Sequence, residues 1–155
     1  MSDNAGRNLN AGELDAFLKE PNLARVATVT PEKLPYVIPV GFYYDGRYIY
    51  FWLRALAQSV KNIDAEPHVA ITIDCNATKL NGDGRRALIQ GKAELVKEDW
   101  TNLDRATMRK YFGEAALSSG NNKSRPRNCY RVKLSDSKIT SWNGKGWHRR
   151  YFSKK

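Results

Sequence analysis

The sequence is poor in the residues that most often carry chemistry. Its 155 residues include two cysteines and two histidines. His68 begins a strand-like run and His148 lies far along the chain, so they do not form a ligand cluster, and we expect no metal site. The chain also lacks a Gly-x-Gly-x-x-Gly turn after a strand, a phosphate-binding P-loop, an HExxH motif and paired CxxC motifs. The catalytic residues therefore remain unknown at this stage.

Long hydrophobic runs are absent as well. No stretch approaches the ~20 apolar residues of a membrane span, and the first residues lack a basic segment leading into an apolar one. Cys75 and Cys129 lie in strand-like contexts, where we expect free thiols rather than a disulfide framework. We therefore expect a cytoplasmic protein without a membrane partner. The length and the hydrophobic content of 41% predict a single globular domain over residues 1–155.

Positive charge is present but concentrated at one end. Residues 1–120 are electrically balanced, whereas residues 121–155 hold eleven basic side chains and one acidic side chain, which accounts for the net charge of +10. In residues 141–152, Trp142, Trp147 and two further aromatics alternate with basic residues. This composition fits a phosphorylated aromatic ligand or a nucleic acid, and a solvated basic end is the alternative.

Hydrophobic periodicity predicts a mainly β protein. Strands are expected at residues 23–30, 35–44, 47–53, 68–75, 86–96, 129–134 and 138–142. Helices are expected at residues 10–18, where Asn10 and Glu13 have the spacing of a capping box, and at 55–65 and 98–118. Neighbouring strands without helical crossovers favour antiparallel pairing, so we predict a β-barrel with peripheral helices.

Three local signals refine this prediction. Asp45-Gly46 between two aromatic runs predicts a hairpin with positive φ at both residues. Pro39 predicts an edge strand or a bulge, and Gly91 predicts a bulge or the close approach of another group.

One predicted strand is apolar on both of its faces. Tyr50, Phe51 and Trp52 are consecutive, and successive side chains of a strand point to opposite sides. The strand therefore needs a second covering surface, which could be a helix, a dimer partner or a flat aromatic ligand.

The order of these segments resembles the pyridoxamine 5′-phosphate oxidase-like, flavin-binding split-barrel family. The resemblance covers about residues 12–152 and rests on an ordered set of segments: Ala24 to Val29, Pro35 to Val40, Tyr48 to Trp52, Val60 to Val69 and Ile89 to Leu95. It implies a six-stranded antiparallel split barrel that forms a homodimer, with flavin sites at the subunit interface.

The resemblance also implies site residues. Those expected to line the flavin are Ile38, Pro39, Val40, Phe51, Trp52 and Leu53. Lys61 is expected near the phosphate, Gln90 comes from a neighbouring strand, and Trp142 and Arg149 are similar to C-terminal residues that reach cofactor or substrate. Ser59 occupies a position where family members often carry Lys, and Arg54 is a candidate to compensate. Arg127 and Arg150 are candidates for a substrate anion.

The function implied is that of an FMN-binding oxidoreductase in which hydride moves through flavin N5. Residues 35–44 contain no Arg or Lys, unlike pyridoxamine phosphate oxidases, so we do not expect vitamin B6 oxidation, and the substrate, a small anionic or aromatic molecule, stays unknown. The alternatives are a deazaflavin-dependent reductase and a flavin or haem carrier without turnover. A nucleic-acid-binding module is a more distant alternative.

Overall fold

Eight strands and three helices carry the fold in the computed structural model, which describes residues 8–75, 84–117 and 126–143. The strands are β1 (Ala24–Val29), β2 (Pro35–Val40), β3 (Phe42–Tyr44), β4 (Tyr48–Arg54), β5 (His68–Asp74), β6 (Arg85–Leu95), β7 (Arg127–Lys133) and β8 (Lys138–Asn143). The helices are α1 (Ala11–Lys19), α2 (Gln58–Ala65) and α3 (Thr101–Phe112), and short 3₁₀ turns follow at Glu114–Leu117 and Leu134–Asp136.

The strands form one antiparallel sheet that curls on itself. Its order is β2-β1-β5-β6-β7-β4-β3, and β8 pairs with β6. The two ends of this order, β2 and β3, are consecutive pieces of chain separated by Gly41. The sheet must therefore bend round until its ends meet, which confirms a mainly β barrel with peripheral helices.

The strand count differs from the six that the family resemblance implied. Residues 35–44 were predicted as one strand, but the chain changes partner at Gly41. Val40 pairs with Ala24 of β1, whereas Phe42 pairs with Phe51 of β4. With β2 and β3 counted as one bent strand, the described residues still contain seven.

Gly91 lies where β6 changes partners. Residues 85–90 of β6 pair with β8, and residues 93–95 pair with β7. A Cβ atom at Gly91 would lie 2.2 Å from Ser137 Oγ and 2.9 Å from Val132 Cγ1. Glycine is therefore required by the close approach of the β7–β8 connection, as the sequence predicted. Pro39 likewise lies on an edge strand, β2.

The β3–β4 hairpin forms at Asp45-Gly46 as expected, but by a different turn. Gly46 has a φ of +97°, whereas the φ of Asp45 is not positive. The Asp45 carboxylate instead accepts hydrogen bonds from the backbone N–H groups of Arg47 and Tyr48 at 2.8 and 2.7 Å. The side chain thus replaces the second left-handed residue in closing the turn.

The helices pack on the curled sheet through few, well-buried side chains. The capping box of α1 is present, and Phe17 and Leu18 of that helix are fully buried. Helix α2 begins at Gln58 rather than at residue 55, and Leu56 lies outside it with 92% of its surface exposed. Within the described ranges, no helix is both long and apolar enough to cross a membrane.

Candidate functional site

The N-terminus of α2 has an unusual lack of capping. Its N-cap residue is Ala57, which makes no side-chain hydrogen bond to the helix. The hydroxyl of Ser59, in the first turn, is buried and has no hydrogen-bond partner. The first N–H groups of a helix need acceptors and carry partial positive charge. This helix end therefore suits a bound anion better than a self-contained cap.

Two cations lie in the same short stretch of chain. Arg54 ends β4 and Lys61 lies in the second turn of α2, and both side chains are exposed. Neither takes part in a salt bridge within the part of the chain that the structure describes. We call Arg54, Ser59 and Lys61 the α2 site, because all three lie in the segment that contains the uncapped helix end, with the Ser59 hydroxyl buried and the two cations exposed.

A buried polar chain fixes the orientation of α2. Gln58 Nε2 donates to Asn62 Oδ1 at 2.8 Å, and Asn62 Nδ2 donates to Thr28 Oγ1 at 2.9 Å. Thr28 Oγ1 in turn donates to the Tyr36 carbonyl at 3.4 Å. Asn62 is fully buried, so its amide ties α2 to β1 without solvent competition. Sequence reasoning missed Asn62, because no local pattern marks its distant partner.

The remaining predicted site residues fall into different environments. Phe51 and Leu53 are 0% and 3% exposed and belong to the main hydrophobic core. Ile38 and Val40 are half-buried and pack against the same core. In this conformation these side chains support the barrel wall, and they offer little surface to a ligand.

Trp52 points away from that core. It packs with Tyr50, Val96, Cys129, Trp100 and Leu103 in a second cluster. Its ring meets that of Trp100 edge to face with centroids 6.2 Å apart. The covering surface required by the aromatic strand is thus the start of the chain's own helix α3, which is one of the three covers that the sequence left open. We call this cluster the covered face.

On the outer surface of the opposite half of the sheet, none of the three helices in the described ranges forms such a cover. Register places the outward side chains of β2, β1, β5, β6 and β8 on one side, and we call this side the open face. Its members include Val37, Pro39, Arg25, Ala27, Ala70, Thr72, Asp74, Arg86, Leu88, Gln90, Lys138, Thr140 and Trp142. Val37 is 62% exposed, and Pro39 and Gln90 are exposed as well.

The structure therefore brings together part of the predicted set. Pro39, Gln90 and Trp142 share the open face. However, Pro39 lies on β2 and Trp142 on β8, which are the first and the fifth strand in the order β2-β1-β5-β6-β8. With ~4.8 Å between neighbouring strands, four spacings separate these two strands by roughly 19 Å along the sheet. Trp142 contacts Arg86, whose guanidinium carbon is 5.1 Å from the ring centroid. Arg149 and Arg150 lie outside the described residues.

Arg127 is engaged in a different way from the one expected. Its guanidinium makes two hydrogen bonds to the Asp104 carboxylate, at 3.2 and 3.0 Å. A bidentate pair of this kind occupies the face that a substrate anion would need. Arg127 therefore joins β7 to α3 beside Trp100, and the anion role we predicted for it is not supported.

Comparison with known proteins identifies the family. The family model described as pyridoxamine 5′-phosphate oxidase matches residues 11–140, and the chain belongs to this family. No curated protein sequence matches the chain.

Solved structures share the fold at low sequence identity. A conserved hypothetical protein from Mycobacterium tuberculosis is 20% identical with a TM-score of 0.70, covering 87% of this chain and 85% of its own. An F420 reductase is 22% identical with a TM-score of 0.63, covering 80% and 94%. HutZ, a haem storage protein from Vibrio cholerae, is 19% identical with a TM-score of 0.66, covering 86% and 95%.

Proposed function

We propose that this protein is a homodimeric flavin-binding oxidoreductase whose cofactor phosphate binds at the α2 site. The observation that carries the proposal is the uncapped helix end with the buried, unpartnered hydroxyl of Ser59. Arg54 and Lys61 add two cations that form no salt bridge with any described residue. Ser59 fits this function despite replacing a lysine, because a hydroxyl donates to a phosphate oxygen while the helix and Arg54 supply the charge.

The α2 site favours a phosphorylated cofactor over haem. Helix N–H groups and a serine hydroxyl suit the oxygens of a phosphate group, which FMN and deazaflavin cofactors both carry. Haem-binding and F420-reducing proteins share this fold, so the fold leaves the choice open. We infer FMN as the cofactor, with deazaflavin as the alternative and haem as a competitor that the spectrum distinguishes.

The ring of the cofactor requires a second subunit in this proposal. Helix α2 packs against β1 and β4, with Asn62 bound to Thr28 of β1, whereas Trp142 lies on β8 beside Arg86. We infer that the Trp142 that reaches the ring comes from a second copy of the chain. A second copy docked on the open face would supply Trp142 and Arg149 to the first copy's Pro39 and Gln90.

The remaining predicted residues have supporting roles. Phe51 and Leu53 hold β4 in place from within the core, with Ile38 and Val40 packed beside them. Trp52 anchors the same strand on its other side. When bound, the flavin supplies hydride transfer through its N5 atom, while the protein orients the reactants and excludes water. Arg149 supplies positive charge beside the ring or a small anionic or aromatic substrate.

The absorption spectrum of the protein purified from cells tests the cofactor class. We expect flavin absorption bands whose intensity corresponds to about one flavin per chain. A Soret band would assign the protein to the haem carriers, and a colourless protein that binds neither FMN nor deazaflavin would overturn the proposal. Salt-sensitive binding of single-stranded DNA by such a colourless protein would favour a nucleic-acid module instead.

The α2 site is tested by comparing FMN with riboflavin, which lacks the phosphate. Lys61→Gln and Ser59→Ala are expected to weaken FMN binding about tenfold to a hundredfold, the effect of one charge-assisted hydrogen bond, and to leave riboflavin binding unchanged. Lys97→Gln, at another exposed lysine, is the control. Equal losses for both ligands would place the phosphate elsewhere.

A further inference from the structure

A cavity lies between α1, β3 and α3. It has a volume of about 390 Å³ and is lined by Lys19, Pro21, Tyr43, Tyr44, Ala106, Arg109 and Lys110. This volume lies within the range of cavities that hold small molecules. None of the α2 site residues contributes to it.

Lys110 is the unusual member of this lining. Its ammonium donates to two backbone carbonyls, Leu18 O at 3.4 Å and Phe42 O at 3.2 Å. It also lies 3.5 Å from the centroid of the Phe42 ring. In the described part of the chain no carboxylate forms a salt bridge with it. The amine is thus held by weak acceptors in an apolar setting.

Burial disfavours the protonation of Lys110. It lowers the pKa of the amine to about 8, and a desolvated lysine with a lowered pKa is a better nucleophile near neutral pH. Lys19 of α1 and Arg109 of α3 line the same cavity, and their partners Asp15 and Glu114 do not. Burial also raises the pKa of Tyr44 of β3, so this phenol stays neutral near physiological pH.

We propose that this cavity is a second ligand site, in which Lys110 forms an imine with a small carbonyl compound that carries a carboxylate or phosphate. Arg109 binds Glu114 through Nε alone and Lys19 makes a single contact with Asp15, so, unlike the bidentate Arg127, both keep N–H groups that would hold the anionic group. The apolar walls would hold the rest. The inference stands independently of the proposed flavin function, because the cavity and the α2 site share no residues.

The bond changes balance without a redox partner. The lone pair of the neutral Lys110 amine attacks the carbonyl carbon and forms a C–N bond. The carbonyl oxygen takes up two protons, both from the amine nitrogen, one directly and one after carbinolamine formation, and leaves as water. The product is a neutral imine, and hydrolysis reverses the reaction.

Competitive labelling with limiting acetic anhydride at about pH 7.5 tests the reactivity of Lys110. Peptide mapping by mass spectrometry compares it with Lys97, which is exposed and outside the cavity. A lower pKa leaves more of the amine neutral, so we expect Lys110 to acetylate about tenfold faster or more. Labelling no faster than that of Lys97 would overturn the proposal.

Trapping with glyoxylate and cyanoborohydride tests the ligand class. We expect one carboxymethyl group on Lys110 in the wild-type protein, less trapping with the uncharged propionaldehyde, and no specific adduct in Lys110→Arg. Lys97→Arg is the control and should behave as wild type. Adducts spread evenly over the lysines would contradict the proposal, and peptide mapping of the wild-type protein decides this even if a variant fails to fold.

Discussion

The two outer faces of this curled sheet differ in what covers them. On the covered face, Trp52 of β4 packs against Trp100 and Leu103 at the start of α3. On the open face, Val37 of β2 remains 62% exposed beside Pro39. Both faces carry apolar side chains, but among the described residues a helix covers only the first of them.

This difference separates stability from function. The covered face stabilises the monomer, because its aromatic residues are removed from water within one chain. The open face leaves apolar surface available, as expected of a surface that meets a partner or a ligand. We therefore expect substitutions on the covered face to change unfolding, and substitutions on the open face to change assembly.

The largest effect is expected for Trp52→Ala. Removing the ring empties the space beside Trp100 and Cys129, and such truncations lower the free energy of unfolding by about 3 kcal/mol. Urea unfolding measures it. The control is Val37→Ala on the open face, which should change stability by less than about 0.5 kcal/mol. Equal losses would show that the two faces do not differ.

Gly91→Ala is expected to have the next largest effect, at the strand where the two halves of the sheet meet. The new Cβ would lie 2.2 Å from Ser137 Oγ, and overpacking of this kind lowers stability by about 1–3 kcal/mol. Urea unfolding again gives the value. Adding Ser137→Gly should restore part of the loss, and no recovery in the double variant would argue against this contact as the cause.

A pH-dependent effect is expected from Lys110, which joins the covering helix α3 to α1 and β3. Its pKa in the folded protein, about 8, lies below the ordinary value of 10.5, so the unfolded chain binds the proton more tightly. Stability should therefore rise with pH between about 8 and 10.5.

Comparison with Lys110→Met isolates this contribution. The wild type should gain stability relative to the variant between about pH 7.5 and 9.5, as measured by urea unfolding at each pH. Burial raises the pKa of Tyr44 and of Tyr111, so these neighbours remain neutral in this range. Parallel pH profiles for the two proteins would contradict the assignment.

Val37→Lys is expected to change the free energy of unfolding least, but to change the oligomeric state. A charge on the open face should convert the proposed dimer to monomers in light scattering, while the monomer's stability changes by less than about 0.5 kcal/mol. Phe112→Lys, at a residue of α3 that is 67% exposed, is the control and should leave the dimer intact. A dimer that survives Val37→Lys would place the interface elsewhere.

Local features of the fold were predictable because their causes are local. Asn10 and Glu13 form the capping box within four residues, Gly46 closes its hairpin, and Gly91 marks a close approach. Each signal arises from backbone geometry at the residue itself. The partner of Gly91, Ser137, was not predictable, because it is distant in the sequence.

The candidate site was predictable in part for the same reason. Arg54, Ser59 and Lys61 lie within eight residues of one another in the sequence. A local pattern was therefore enough to predict them as one candidate anion site. Trp52 was assigned to the flavin, although α3 covers it, and Arg127 was assigned to a substrate, although Asp104 binds it. Both outcomes depend on how α3 docks, which no local pattern encodes.

The sequence by itself determined the alternation of strands and turns and the family, and it predicted the residues of the α2 site. Hydrophobic periodicity and backbone conformational limits act over a few residues, so they can be inferred from the chain alone. The tertiary structure decided which apolar face is covered, which arginine is paired and that Lys110 lines a cavity. These outcomes depend on contacts between residues far apart in the chain, and burial and charge pairing are set only when those contacts form.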